Sequence, residues 1–291
     1  MEISAPALVG QLLIGLINGS AMAMLSLGLA VIFGLLNIIN VTHGAQYMMG
    51  AFCAWMLLNY LGVGYWPALL IAPVVVGLIG IALERVFLRR VYKLDHLYGL
   101  LLTFGLALII QGLFRNEYGT SGIPYAMPQE LAGGRNLGFM FLPNYRAWVI
   151  VASVLVCLAT WFVIEKTNLG SYLRAATENP QLVQAFGINV PRMITLTYGF
   201  GVALAAFAGV MAAPIYQVNP LMGADLIIVV FAVVVIGGMG SIMGSIVTGF
   251  ALGLIEGLTK VFYPEASNTV IFIIMAIVLM IKPAGLFGAQ R

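Results

Sequence analysis

Pro67-Ala68-Leu69-Leu70-Ile71-Ala72-Pro73-Val74-Val75-Val76-Gly77-Leu78-Ile79-Gly80-Ile81-Ala82-Leu83 runs without a charged or hydrogen-bonding side chain and then closes on Glu84-Arg85. A helix crosses the hydrocarbon core of a bilayer in roughly 20 apolar residues, so residues 67–87 read as a membrane span. Comparable runs cover 8–33, 45–61, 97–113, 147–164, 194–213, 226–236, 246–261 and 269–281. The 226–236 run is too short to cross alone, and 8–33 is long enough to contain a break. The sequence therefore predicts eight or nine spans. All are helical, because the alternating strands of a barrel are absent. Composition agrees: 62% of the 291 residues are hydrophobic and 8% charged, with mean hydropathy +1.05. A soluble domain carries about 25% charged residues.

The first Lys or Arg is Arg85. Basic residues favour cytoplasmic loops. Arg85, Arg89, Arg90, Lys93, Lys166, Arg174, Arg192, Lys282 and Arg291 fall on one side of the predicted spans, against Arg115, Arg135, Arg146 and Lys260 on the other. This places the C-terminus inside and the N-terminus outside. The net charge of +3 is accounted for by this asymmetry and offers no nucleic-acid surface. Met1-Glu2-Ile3-Ser4 lacks a basic leader, so no signal cleavage is expected. Cys53 and Cys157 lie in different apolar runs and read as packing residues. The 116–145 segment, with Pro124, Pro128 and Pro143 among five glycines, is a loop. Its 137–142 stretch is expected to lie along the membrane surface. It is either a plain connector or part of a docking face for an extracytoplasmic partner.

One polar island interrupts the inner side, residues 165–192. Within it, Asn179-Pro180-Gln181-Leu182-Val183-Gln184-Ala185-Phe186-Gly187 is punctuated as a short helix. Asn179 is an N-cap, Pro180 suits the first helical position and Gly187 supplies a left-handed stop. A helix under two turns long is marginal alone, so it must rest on its own membrane domain or on a soluble partner.

Two further interruptions lie in apolar surroundings. In the first, Asn37, Asn40, His43 or Gly44, and Tyr47 recur at three- or four-residue steps and would share a helix face. Thr42 and Gln46 belong to the same segment. In the second, Gly237, Ser241, Gly244 or Ser245, and Thr248 do likewise, with Gly238 at the break. Paired broken helices point to a transporter's solute site. Asn37, Asn40, Thr42, His43, Gln46, Gly237, Gly238, Ser241 and Ser245 are the candidate translocation residues. The competing reading is two packing kinks. His43 has no second imidazole or carboxylate near it in sequence and reads as hydrogen-bonded within the bundle. Glycine makes up 34 of 291 residues, well above the ordinary about 7%. Gly15 with Gly19, Ala205 with Gly209, and the series Gly240, Gly244, Gly249, Gly253, Gly257 form small-residue ridges for close helix packing, within the chain or across a dimer.

Several functions are excluded. No Gly-Lys-Ser/Thr triplet occurs, so the chain is not its own P-loop ATPase. No Ser/His/Asp set, catalytic acid pair or Cys/His metal cluster can be assembled, so an enzyme is not expected. Glu84 sits at a helix end, Asp225 opens a span, and Glu256 precedes Lys260 by the four residues of a helical ion pair. Carriers coupled to protons or sodium need ionisable groups inside the membrane, which disfavours a stand-alone secondary carrier. A passive channel lined by the two interruptions stays open as an alternative.

The residues Leu35-Leu36-Asn37-Ile38-Ile39-Asn40 with His43-Gly44, Leu173-Arg174-Ala175-Ala176 leading to Glu178-Asn179 and Ala185-Phe186-Gly187-Ile188-Asn189, Val235-Ile236-Gly237-Gly238-Met239-Gly240-Ser241 with Gly244, and the closing Lys282-Pro283-Ala284-Gly285-Leu286-Phe287-Gly288 resemble the permeases of bacterial branched-chain amino-acid ABC importers of the LivH type. The resemblance spans essentially the whole chain. It implies one all-α, polytopic inner-membrane domain over 1–291, with 165–192 as a cytoplasmic coupling loop seated in an ATPase cleft. By resemblance, Ala175, Ala176, Glu178, Ala185 and Gly187 fall in that loop, and Arg174, Asn179 and Pro180 complete the coupling candidates. Arg174 stands where the family's motif usually begins with an acid. The implied partners are a second homologous permease, two ATP-binding subunits, a periplasmic solute-binding protein and membrane lipid. ATP and Mg would belong to the partner ATPases, with no cofactor in this chain. The implied solute is a branched-chain amino acid, with urea, an amide or a small aromatic acid as relatives' alternatives.

Overall fold

The computed structural model describes residues 5–36, 38–92, 94–138 and 140–288. Asn37, Lys93, Arg291 and the first four residues, all used in the sequence reading, lie outside the described residues. The chain is a helical bundle with one small hairpin. Its helices are α1 (Ala5–Leu36), α2 (Thr42–Leu61), α3 (Tyr65–Leu83), α4 (Arg89–Val91), α5 (His96–Tyr118), α6 (Asn144–Lys166), α7 (Asn168–Glu178), α8 (Pro180–Ala185), α9 (Val190–Tyr216), α10 (Ala224–Gly237), α11 (Ile242–Phe262) and α12 (Val270–Ile281). Among the described residues, six stretches are long and apolar enough to cross a membrane: Ala5–Gly34, Tyr65–Val91, His96–Tyr118, Asn144–Lys166, Val190–Tyr216 and Ile242–Phe262. Two shorter apolar helices, α10 and α12, accompany them.

The core is built on α1, α9 and α11. Helix α11 runs antiparallel to α1, and the Gly15–Gly19 pair meets the Gly249, Gly253 and Gly257 ridge there inside one chain, while Gly209 packs against α2. A Cβ placed on Gly253 would stand 2.3 Å from the Cα of Gly19, and one on Gly15 only 2.5 Å from the carbonyl oxygen of Gly253. Backbones that close gain dispersion and weak polar contacts over their whole length, which is how helices associate in lipid. These glycines pack against other helices of the same chain. Helix α9 packs against both α2 and α3 in the same manner. Tyr47 and Phe52 of α2, Val76 of α3 and Tyr198 and Val202 of α9 belong to one buried cluster.

At one end of the bundle, residues 119–138 and 140–143 form a cap. Strands β1 (Gly134–Asn136) and β2 (Phe141–Pro143) pair antiparallel, with Arg135 opposite Leu142. Within the 137–142 stretch, Leu137 and Gly138 follow the first strand and Phe141 and Leu142 belong to the second; Phe139 lies outside the described residues. An isolated bridge joins Ile123 to Val218 beyond α9. The fully buried Tyr145 donates from its hydroxyl to Met211 O at 2.9 Å, which fixes the start of α6 on α9.

At the opposite end, α7 and α8 emerge between α6 and α9. Glu165 and Arg174 pair at 3.5 Å across the α6–α7 turn. The C-terminal turn returns to the same end. Its amides at Leu286 and Phe287 donate to Ile236 O (2.8 Å) and Gly237 O (3.0 Å), satisfying carbonyls that the end of α10 leaves free. Cys53 and Cys157 are both free thiols.

Candidate functional site

Between α1 and α2 the chain does not turn simply. His43, in the first turn of α2, bonds through Nε2 to Leu25 O at 3.0 Å. Helix α2 therefore begins level with the middle of α1, and residues 38–41 climb back beside α1 in non-helical form. Backbone groups at such depth need partners. Thr103 of α5 supplies them. Its Oγ1 accepts from Val41 N at 3.2 Å and lies 3.1 Å from Ile39 O, while Thr42 Oγ1 donates to Thr103 O at 3.0 Å. Asn40 accordingly lies off the helix, and the shared helical face read for Asn40, His43 and Tyr47 begins only at α2. The reason is Thr103, about sixty residues away, which bonds Ile39 O and Val41 N and holds the segment outside the helix.

Helix α10 starts at the same place. A Cβ on Gly44 would lie 2.4 Å from Gly223 O, so the first turns of α2 and α10 touch backbone to backbone. Beside this contact lies a cavity of about 570 Å³. Ile39, Val41, Gly44 and Ala45 form one wall; Phe104, Ala107, Leu108 and Gln111 of α5 a second; Gly223, Ala224, Ile227 and Phe231 of α10 a third. Val235 and Met239 close it at the second interruption. Both interruptions therefore border one space. Among the described residues, Gln111 is the one polar side chain in its lining.

The candidate polar residues stand behind this wall. Asn40, Thr42, His43 and Gln46 are at most 1% exposed. Asn40 Nδ2 donates to Gln46 Oε1 at 3.1 Å, and Gln46 Nε2 donates to the Tyr198 hydroxyl at 3.2 Å. This chain ties the cavity wall to α9. At the second interruption, Ser241 caps α11 by accepting from Gly244 N at 3.0 Å, and Ser245 Oγ donates to Ser241 O at 3.1 Å. Gly237 packs against Gly244, and Gly238, at φ +106°, against Gly288. Among the described residues, none of these candidates lines the cavity, although neighbours of both sets do, and no hydrogen bond joins one set to the other. Thr103, Gln111 and Tyr198 were missed by sequence reading. Thr103 and Gln111 are each a lone polar residue in an apolar run, which was the available signal, whereas Tyr198 follows Thr195 and Thr197.

The α7–α8 surface has the capping read from sequence. Asn179 Oδ1 accepts from Leu182 N at 3.0 Å, Pro180 is in the first turn, and Gly187 adopts φ +84°. Arg174, Ala175, Glu178, Asn179, Pro180, Ala185 and Gly187 are exposed, while Ala176 is buried with Val183 and Val190. Leu182 and Phe186, four residues apart, stand out at 55% and 79% exposed. The sequence reading passed over this apolar pair.

Glu84 is buried where α3 passes into a π-helical turn, Glu84–Leu88. Tyr92 Oη donates to its Oε1 and Thr195 Oγ1 to its Oε2, both at 2.8 Å. Burial and that carboxylate push the Tyr92 phenol far above its ordinary range, so it remains a donor. Glu256 forms the expected pair with Lys260. Among the described residues, no group of three metal-ligating side chains converges.

Residues 11–279 match the family described as the permease component of the branched-chain amino acid transport system. The chain belongs to that permease family. It is 30% identical to the high-affinity branched-chain amino acid transport system permease protein LivH of Escherichia coli K12, over 96% of this chain and 94% of that protein. It is 29% identical to BraD of Pseudomonas aeruginosa, over 96% and 95%. The E. coli permease LivM is 28% identical over 92% of this chain and 68% of its own length. Family and helices together make the chain a multi-pass membrane transport protein.

Proposed function

We propose that this chain is the permease subunit of an ATP-driven importer for branched-chain amino acids or a closely related small solute, with the α2–α5–α10 cavity as part of its solute path. The cavity carries the reading. It lies beside α2 at the level of mid-α1, falls within the about 300–1,000 Å³ range of small-molecule sites, and is lined almost wholly by apolar side chains. Such a lining suits an aliphatic side chain. The first turns of α2 and α10 both border it. Helix N-termini carry partial positive charge and favour a carboxylate. Asn40, Thr42, His43 and Gln46 hold the wall from behind, and Gly237, Gly238, Ser241 and Ser245 shape the closing end. The relatives LivH and BraD, both named as branched-chain amino acid permeases, favour the same solute class.

In this reading α1, α2, α3, α5, α6, α9, α10, α11 and α12 supply the membrane helices, the N-terminus faces the periplasm and α7–α8 face the cytoplasm. The exposed Leu182–Phe186 pair and the rim from Arg174 to Gly187 receive an ATP-binding subunit. A second, homologous permease completes the path, and a periplasmic binding protein delivers the solute. ATP and Mg are held by the ATPase pair.

Leucine uptake into proteoliposomes containing the chain, its co-purifying permease and ATPase subunits, and binding protein tests this. Uptake dependent on internal ATP and abolished by Ala107→Phe, which fills the cavity, is expected. ATP-driven uptake undiminished by Ala107→Phe would remove the cavity from the path.

A further inference from the structure

The two buried carboxylates among the described residues are Glu256 and Glu84. Glu256 has its lysine. Glu84 is met by two hydroxyls, and a buried carboxylate is tolerated only when hydrogen-bonded. The placement of those hydroxyls is informative. Thr195 lies in the second turn of α9, and α9 starts directly after α8, with Asn189 as its N-cap accepting from Arg192 N. Tyr92 is the C-cap that ends α4, the single turn that follows the π-helical turn at the end of α3. A π turn inserts an extra residue and re-aims the helix beyond it, and such turns concentrate at functional sites. Glu84 thus bonds the exit of the α7–α8 segment to α3. One turn further along α9, Tyr198 takes up the Gln46–Asn40 chain that backs the cavity wall. Just past Tyr198, α3 and α9 touch closely: a Cβ on Gly199 would lie 2.5 Å from Ile81, and one on Gly80 2.8 Å from the Val202 methyls.

We propose that Glu84 is a positioning residue for transport, bolting the start of α9 to α3 so that displacement of α8 moves both helices as one body and reaches the cavity wall through Tyr198, Gln46 and Asn40. This role rests on the ATP-driven importer reading. It predicts a specific failure: without the bolt, α8 still docks and ATP is still hydrolysed, but α9 shifts without carrying the wall.

The test uses the complete reconstituted complex and measures solute imported per ATP hydrolysed for the unaltered chain, Glu84→Leu, Glu84→Gln, Tyr92→Phe and Thr195→Val. Loss of hydrogen bonds to a charged group predicts a roughly tenfold or larger drop in that ratio for Glu84→Leu and a smaller drop for each hydroxyl deletion, with hydrolysis and ATPase binding within about twofold. Glu84→Gln accepts from one hydroxyl and donates to the other, and restores most of the ratio. An unchanged ratio in Glu84→Leu, or in both hydroxyl variants where Glu84→Leu fails to assemble, overturns the role. Parallel loss of hydrolysis and uptake, with no rescue by Gln, also overturns it in favour of a purely structural carboxylate. Uptake by the unaltered complex without ATP would remove the importer reading and this role together.

Discussion

Truncating Phe186 to alanine probes the α8 surface most sharply. Phe186 is 79% exposed and Leu182, one turn before it, 55% exposed. A buried aromatic side chain covers roughly 150–250 Å². Taking about 200 Å², the 79% now in solvent leaves about 160 Å² for a partner to cover. At about 25 cal/mol per Å² this gives a ceiling of about 4 kcal/mol. Ordering at the interface offsets part of it, and truncating an aromatic anchor costs about 2 kcal/mol or more. Phe186→Ala should therefore weaken ATPase binding between about 30-fold and about 1000-fold. The assay is biolayer interferometry of the ATP-binding subunit on the permease pair in nanodiscs. Leu155→Ala is the control, because Leu155 is 60% exposed but lies halfway along α6. An affinity for the Phe186→Ala pair within about twofold of the unaltered pair would refute the reasoning, since no anchor of that size can be lost so quietly.

The geometry yields three further outcomes. Thr103→Val strands the Val41 amide and should destabilise the 38–41 segment by about 1–3 kcal/mol, read as a lower melting temperature in detergent that Thr103→Ser recovers. Gly253→Leu drives a side chain into Gly19 and should cost about 1–3 kcal/mol or more, measured as lost thermal stability and reduced yield of folded chain. Gly187→Val forces a β-branched residue to φ +84°, and should uncouple hydrolysis from uptake while the protein still inserts, measured as ATPase activity that persists as uptake falls.

Local features were legible in the sequence. The Asn179 cap, the Pro180 start and the Gly187 stop depend on neighbours within one turn, and the Glu256–Lys260 pair on a single helix. The apolar runs located the helices because length and hydropathy determine them directly. Long-range pairings were not legible. Helical spacing placed Asn40 on the face of α2, but Thr103 holds residues 38–41 outside the helix, and the cavity is lined by Val41 and Gly44 with Asn40 and His43 behind. The glycine ridges were recognised, yet their mutual pairing across more than two hundred residues of sequence could not be read from spacing. Glu84 looked like an ordinary helix end, because its partners Tyr92 and Thr195 come together only when α3 and α9 pack.

The account's central claim is that ATP hydrolysed by partner subunits moves this permease. Labelled leucine accumulation against a gradient, in vesicles holding this chain alone and in vesicles holding the complete complex with internal ATP, tests it directly. The account predicts uphill accumulation only in the complete complex and none when a non-hydrolysable analogue replaces ATP. Uphill accumulation by the isolated chain, driven by a proton or sodium gradient, would contradict it.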